Sequence, residues 1–118
     1  MCVLPIEKPK ILYHAIPVSY YKKVSKYGLS PDVSNVLFDF PNKLFLTDKI
    51  ERLYDFIKQK GRFYILRVGV SEIRIFQNPN LLNDFCTLET VWAFYSSHKI
   101  KEIKTNDRGD VISFKDID

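Results

Sequence analysis

The chain has 118 residues, 46% hydrophobic and 27% charged, with 18 Lys and Arg against 14 Asp and Glu for a net charge of +4. That length suits one domain with a single core, and seven Tyr, nine Phe and one Trp are too many apolar rings for a disordered chain. Four scattered glycines exclude a P-loop or a GxGxxG turn, and Cys2, Cys86, His14 and His98 are too far apart for a zinc site of ordinary spacing.

No apolar run approaches a membrane span, and the N-terminus lacks the apolar stretch of a signal peptide. With two lone cysteines, a reducing cytoplasm is the expected location. The modest positive charge permits an anionic partner without requiring one.

The first ten residues, with Pro5 and Pro9, read as an extended arm. Ile11–His14 is a short strand closed by Pro17, which cannot continue a ladder. Tyr20, Val24 and Tyr27 recur at helical spacing, with Ser19 as N-cap and Gly28 where a helix-ending glycine belongs. Lys22, Lys23 and Lys26 share the other side of that helix, and Leu29–Asp32 is a turn. Residues 33–42 read as a loop. Lys43–Thr47 is a strand, and Asp48 with Glu51 forms a capping-box pair for a helix with Ile50, Leu53, Tyr54 and Ile57 on one face, ended by Gly61.

Arg62–Val70 is the clearest strand, rich in aromatic and branched residues. Ile73–Phe76 is a short strand, Asn78–Asn80 a turn, Glu89–Tyr95 a strand, Ser96–Ser97 a polar link and Ile100–Lys104 a last strand. Beyond Asn106 the tail is turn-rich with one apolar stretch, Val111–Phe114. The expected fold is α+β: an antiparallel-rich, split β-sheet core with two helices in the N-terminal half. It forms a single domain over 1–118 with its core at roughly 11–104.

Three polar residues stand where folding alone would favour something else: His14 at a strand end, Glu89 leading an apolar strand, and Tyr54 on an apolar helix face. Singly, each has an ordinary structural explanation. A strand-end histidine is often a satisfied core group, a strand-end glutamate is often solvated, and a buried tyrosine needs only one partner.

Their order adds meaning. Leu12-Tyr13-His14-Ala15, a helix, and then Tyr27-Gly28-Leu29-Ser30-Pro31 resemble the opening of the ADP-ribosyltransferase superfamily, with its LYHGT-type strand and GL-x-P turn. Lys43–Asp48 resembles the next core strand, Arg62–Ser71 the hydrophobic strand after it, and Glu89–Phe94 the strand carrying the family's glutamate. Related RNA 2′-phosphotransferase and DNA ADP-ribosyltransferase branches share the opening motifs.

The resemblance implies an enzyme that cleaves the nicotinamide N-glycosidic bond of NAD and passes ADP-ribose to a nucleic-acid or protein acceptor. Within it, His14 and Glu89 are the catalytic pair. Tyr13, His14, Ala15, Phe45 and Tyr54 bind NAD: His14 at a ribose hydroxyl, Ala15 through its backbone at the carboxamide, Phe45 and Tyr54 against the ring. Phe45 stands where the family's H-Y-E pattern has tyrosine, and Ala15 where it has glycine.

Two other readings stay open. The same fold can bind NAD, an NAD-derived nucleotide or nucleic acid without catalysis. Alternatively, Lys22, Lys23 and Lys26 interleaved with Tyr20, Tyr21 and Tyr27, together with Lys99, Lys101 and Lys104, can contact nucleic acid. Cys86 and Trp92 read as core, and His98 as a surface loop residue.

Overall fold

The computed structural model describes residues 3–31, 42–57, 59–95 and 100–117. Eight strands form one antiparallel sheet: β1 (Ile11–Pro17), β2 (Leu44–Thr47), β3 (Gly61–Gly69), β4 (Phe76–Gln77), β5 (Asp84–Thr87), β6 (Phe94–Tyr95), β7 (Ile100–Thr105) and β8 (Val111–Ile117). A 3-10 turn (Val18–Tyr20) leads into α1 (Tyr21–Tyr27), and α2 (Ile50–Phe56) follows β2. The architecture is α+β, with both described α-helices in the N-terminal half.

Spatial order is β4-β5-β2-β1-β3-β7-β8, and the sheet forks at β3. The nine residues of β3 pair with β1 from Ile11↔Gly69 to Pro17↔Phe63. The opposite edge of β3 is divided: Gly61–Ile65 pairs with β7, and Arg67 and Val68 pair with β6. Alternation along the strands sends side chains to two cores. Leu12, Ile16, Leu44, Leu46, Leu66 and Val68 pack with Val24 of α1 on one face, while Ala15, Phe45, Phe63 and Ile65 pack with Leu53 of α2 on the other.

Several local expectations need correction. The N-cap of α1 is Tyr20, not Ser19, because the 3-10 turn precedes it. The Asp48–Glu51 capping box does not form: Lys49 is the N-cap, and its backbone N–H donates to Thr47 Oγ1 at 3.1 Å. Helix α2 stops at Phe56, and Gly61 opens β3 instead of ending the helix. β4 lies at Phe76–Gln77, slightly beyond the expected Ile73–Phe76.

The largest revision concerns residues 84–95. The strand there is β5, at Asp84–Thr87, while Glu89 lies in a bend and only Phe94–Tyr95 of the expected Glu89–Tyr95 strand is β6. The cause is Gly28, whose φ of 83° and ψ of 166° turn the chain so that Leu29 and Val91 exchange both backbone hydrogen bonds, at 2.9 and 2.8 Å. That isolated bridge consumes the middle of the segment. In the tail, Asn106–Asp110 makes the expected turn, with Asn106 Oδ1 accepting the N–H groups of Arg108 and Asp110, and the apolar stretch after it is the edge strand β8. The loop expected at 33–42 falls, except for Asn42, outside the described residues, as do Ser96, Ser97 and His98.

Candidate functional site

The β2–β5 register sets Phe45 opposite Cys86 and Thr47 opposite Asp84, so Phe45, Cys86 and Asp84 share one face of the sheet. Helix α2 covers that face. Its Phe56 ring meets Phe45 with centroids 4.7 Å apart and planes tilted by 57°. Arg52, one helical turn earlier, lays its guanidinium over Phe56 at 5.0 Å. From there it donates from Nε to Asp84 Oδ1 at 3.1 Å and from Nη2 to Asp84 Oδ2 at 2.7 Å, a bidentate pair. A third donor, Nη1, reaches Asp55 Oδ2 at 3.2 Å.

Between α2 and the β2–β5 edge these side chains leave a slot of about 380 Å³, with Lys43 on its rim. Small-molecule sites occupy this size range and combine apolar walls with a few placed polar groups. The Asp84 carboxylate holds the Arg52 guanidinium protonated above its ordinary range. Chemically, the slot offers aromatic faces to a flat ring, Lys43 and Arg52 to an anionic substituent, and Asp84 as an acceptor for hydroxyl groups.

The five residues expected to contact NAD divide between the faces. Phe45 forms a wall of the slot, and Ala15 is buried in the same core with Tyr13 and Tyr54 packed against it. Burial, and then the Glu51 carboxylate, raise the Tyr54 hydroxyl above its ordinary pKa. His14 points the other way, in step with Leu12 and Ile16, and is fully buried. Its Nδ1 lies 2.7 Å from the Phe45 carbonyl oxygen, tying β1 to β2 where only Tyr13 and Thr47 are in register. Glu89 is exposed, and its carboxylate accepts the backbone N–H of Arg74 at 2.7 Å. His14 and Glu89 are therefore not among the residues that line the slot.

Arg52, Phe56 and Asp84 were not singled out by the sequence, although one signal was available. Asp84 is a carboxylate leading a short apolar strand, the pattern noted at Glu89. The Arg52–Asp84 pair joins residues 32 positions apart and leaves no local trace.

The lysine face of α1 is exposed as expected, but its aromatics are arranged differently. Tyr20 and Tyr21 pack against the core, Tyr21 edge-on to Tyr64 at 5.6 Å, and only Tyr27 is open to solvent. Trp92, read as core, is 62% exposed, because the bridge that buries Val91 turns the next side chain outward. Cys86 is buried as expected. Lys99 and the side chain of Lys101 fall outside the described residues, and Lys104 is exposed on β7.

Among the described residues no helix is long and apolar enough to cross a membrane, and no three His, Cys, Asp or Glu side chains group as metal ligands. Compared with protein-family models, curated proteins and solved structures, the chain matches none.

Proposed function

We propose that the chain is an ADP-ribosyltransferase-like domain that takes NAD, or a nucleotide derived from it, in the slot between α2 and β5. The observation that carries this reading is Phe45. The aromatic that the resemblance sets against nicotinamide is a wall of a slot that also holds a guanidinium, an ammonium and a carboxylate. A nicotinamide ring lies against Phe45 and Phe56, phosphate oxygens accept from Lys43 and Arg52, and ribose hydroxyls donate to Asp84. The volume accommodates one ring and its ribose, leaving the rest of a dinucleotide over the Lys43 rim.

Transfer adds one requirement. Breaking the bond between ribose C1′ and the nicotinamide nitrogen leaves positive charge on the ribose, while nicotinamide departs neutral with the electron pair. An acceptor oxygen or nitrogen on a nucleic acid or protein then bonds to C1′ and loses its proton. A carboxylate close to the ribose lowers that barrier. We assign this role to Asp84, which lines the slot, in preference to Glu89. His14 acts as a positioning residue through its bond to the Phe45 carbonyl. The mutual pairing of Arg52 and Asp84 favours the simpler outcome, in which nucleotide is held without transfer.

Calorimetric titration with NAD, beside chromatographic detection of nicotinamide, tests both levels. Saturation at about a hundred times Kd stabilises the fold by about 2.7 kcal/mol, or roughly 10 °C in Tm at this size. Lys43→Glu weakens binding without changing the stability of the free protein. Binding with release supports transfer, binding without release supports holding alone, and no binding at millimolar NAD overturns the proposal.

A further inference from the structure

The sole tryptophan of the chain lies on the protein surface beside the lysine-bearing helix α1. Gly28 makes this possible: a Cβ there would stand 3.0 Å from Trp92 Cε2 and 3.1 Å from Cζ2, so the indole rests directly on the glycine backbone. With 62% of Trp92 still exposed, the ring is supported on one side and open on the other. Tyr27, the residue before Gly28, is 52% exposed, and the Lys26 ammonium sits 5.2 Å from its ring centroid. Lys22 and Lys23 extend the positive charge along the helix, and all three lysines are exposed. No carboxylate side chain occurs in the sequence between Glu7 and Asp32. The nearest acidic neighbour in the segment carrying Trp92 is Glu89, whose carboxylate is engaged by the Arg74 N–H.

We propose that the face formed by α1, the Tyr27–Gly28 turn and Trp92 binds single-stranded nucleic acid. Bases stack on Trp92 and Tyr27, and the phosphates between them pair with Lys22, Lys23 and Lys26. Aromatic platforms among cations suit a single strand, because unpaired bases expose the π faces that a duplex keeps stacked. An acidic peptide would use the lysines and leave the indole without a flat partner. This face uses the side of the sheet packed by Val24, opposite the slot over Phe45, so the two sites are tested separately.

Trp92 also reports on the site. The full chain is titrated with a fluorescently labelled oligothymidylate at low salt, reading both indole emission and label anisotropy. Base stacking quenches the emission. Three phosphate contacts give a log–log salt slope of about −2, from about 0.7 per contact on a single strand. Trp92→Ala weakens binding by about fivefold to a hundredfold, in line with the loss of one stacked base, whereas Trp92→Tyr retains most of it. The triple substitution Lys22→Glu, Lys23→Glu, Lys26→Glu abolishes binding while thermal unfolding and NAD titration stay as in the parent. The proposal is overturned if neither signal responds at low salt, or if a duplex or polyglutamate binds as tightly as the oligothymidylate. Full binding by the triple variant overturns it as well.

Discussion

Replacing Gly28 with alanine tests the turn that holds Trp92 outward and Leu29 against Val91. Two costs coincide at this position. The backbone, at φ 83° and ψ 166°, lies in a region that is essentially restricted to glycine, costing about 1–3 kcal/mol for any other residue. The new methyl would also stand 2.6 Å from Thr90 Cγ2 and 3.0 Å from the indole, which forces neighbours to move at about 1 kcal/mol or more. Together these give a loss of about 2–4 kcal/mol. Unfolding entropy of about 2.1 cal/mol/K per residue converts that into a fall in Tm of roughly 8–16 °C.

Urea denaturation followed by Trp92 emission measures the loss at the affected contact, and circular dichroism provides an independent check. Asparagine brings no relief, because its tolerance is for the left-handed helical region and not for this one. Adding Thr90→Ser removes the nearest methyl and recovers only the steric part, so the double variant stays well below the parent. A Gly28→Ala protein within about 0.5 kcal/mol of the parent would refute both the strained turn and the close approach.

Two further outcomes concern the slot. Asp84→Asn removes the carboxylate from Arg52; hydrogen bonds to charged groups contribute about 1.5–3 kcal/mol when buried, and Arg52 is 29% exposed, so the expected loss is about 1 kcal/mol in urea. A double-mutant cycle with Arg52→Gln isolates the pair, and a coupling near zero refutes the clamp. For Tyr54, folding raises the hydroxyl pKa from its ordinary 10.0, so the native state holds its proton more tightly than the unfolded chain. Stability therefore falls as pH climbs from that ordinary value through the folded one. Urea midpoints at successive alkaline pH values decline less steeply in Tyr54→Phe than in the parent, and identical slopes refute the burial argument.

The legibility of the chain follows the range of its interactions. β3 was readable because nine residues of branched and aromatic character leave little alternative. α1 and its glycine stop were readable because both are local signals. β5 was not: Asp84-Phe85-Cys86-Thr87 carries polar residues at both ends and is buried only because β2 and β4 flank it. Glu89–Tyr95 has the better strand composition, yet its course is dictated by a glycine some sixty residues earlier. The same division applies at the site. Tyr54 stands out from its place on an apolar helix face and Phe45 only through the family resemblance, while the Arg52–Asp84 pair in the slot depends on sheet order.

The central position of β1 also bears on how the chain folds. Both of its neighbours lie downstream, and β3, which pairs with it along its whole length, ends only at Gly69. β1 precedes both of its partners along the chain, so Ile11–Pro17 cannot satisfy its backbone in the sheet until β3 has been made. Its Leu12 and Ile16, fully buried at the end, spend that interval without a core. Such separated pairings slow folding and expose sticky intermediates. The seven-residue strand at the heart of the sheet is thus a segment whose apolar side chains a growing chain exposes before its partner strands exist.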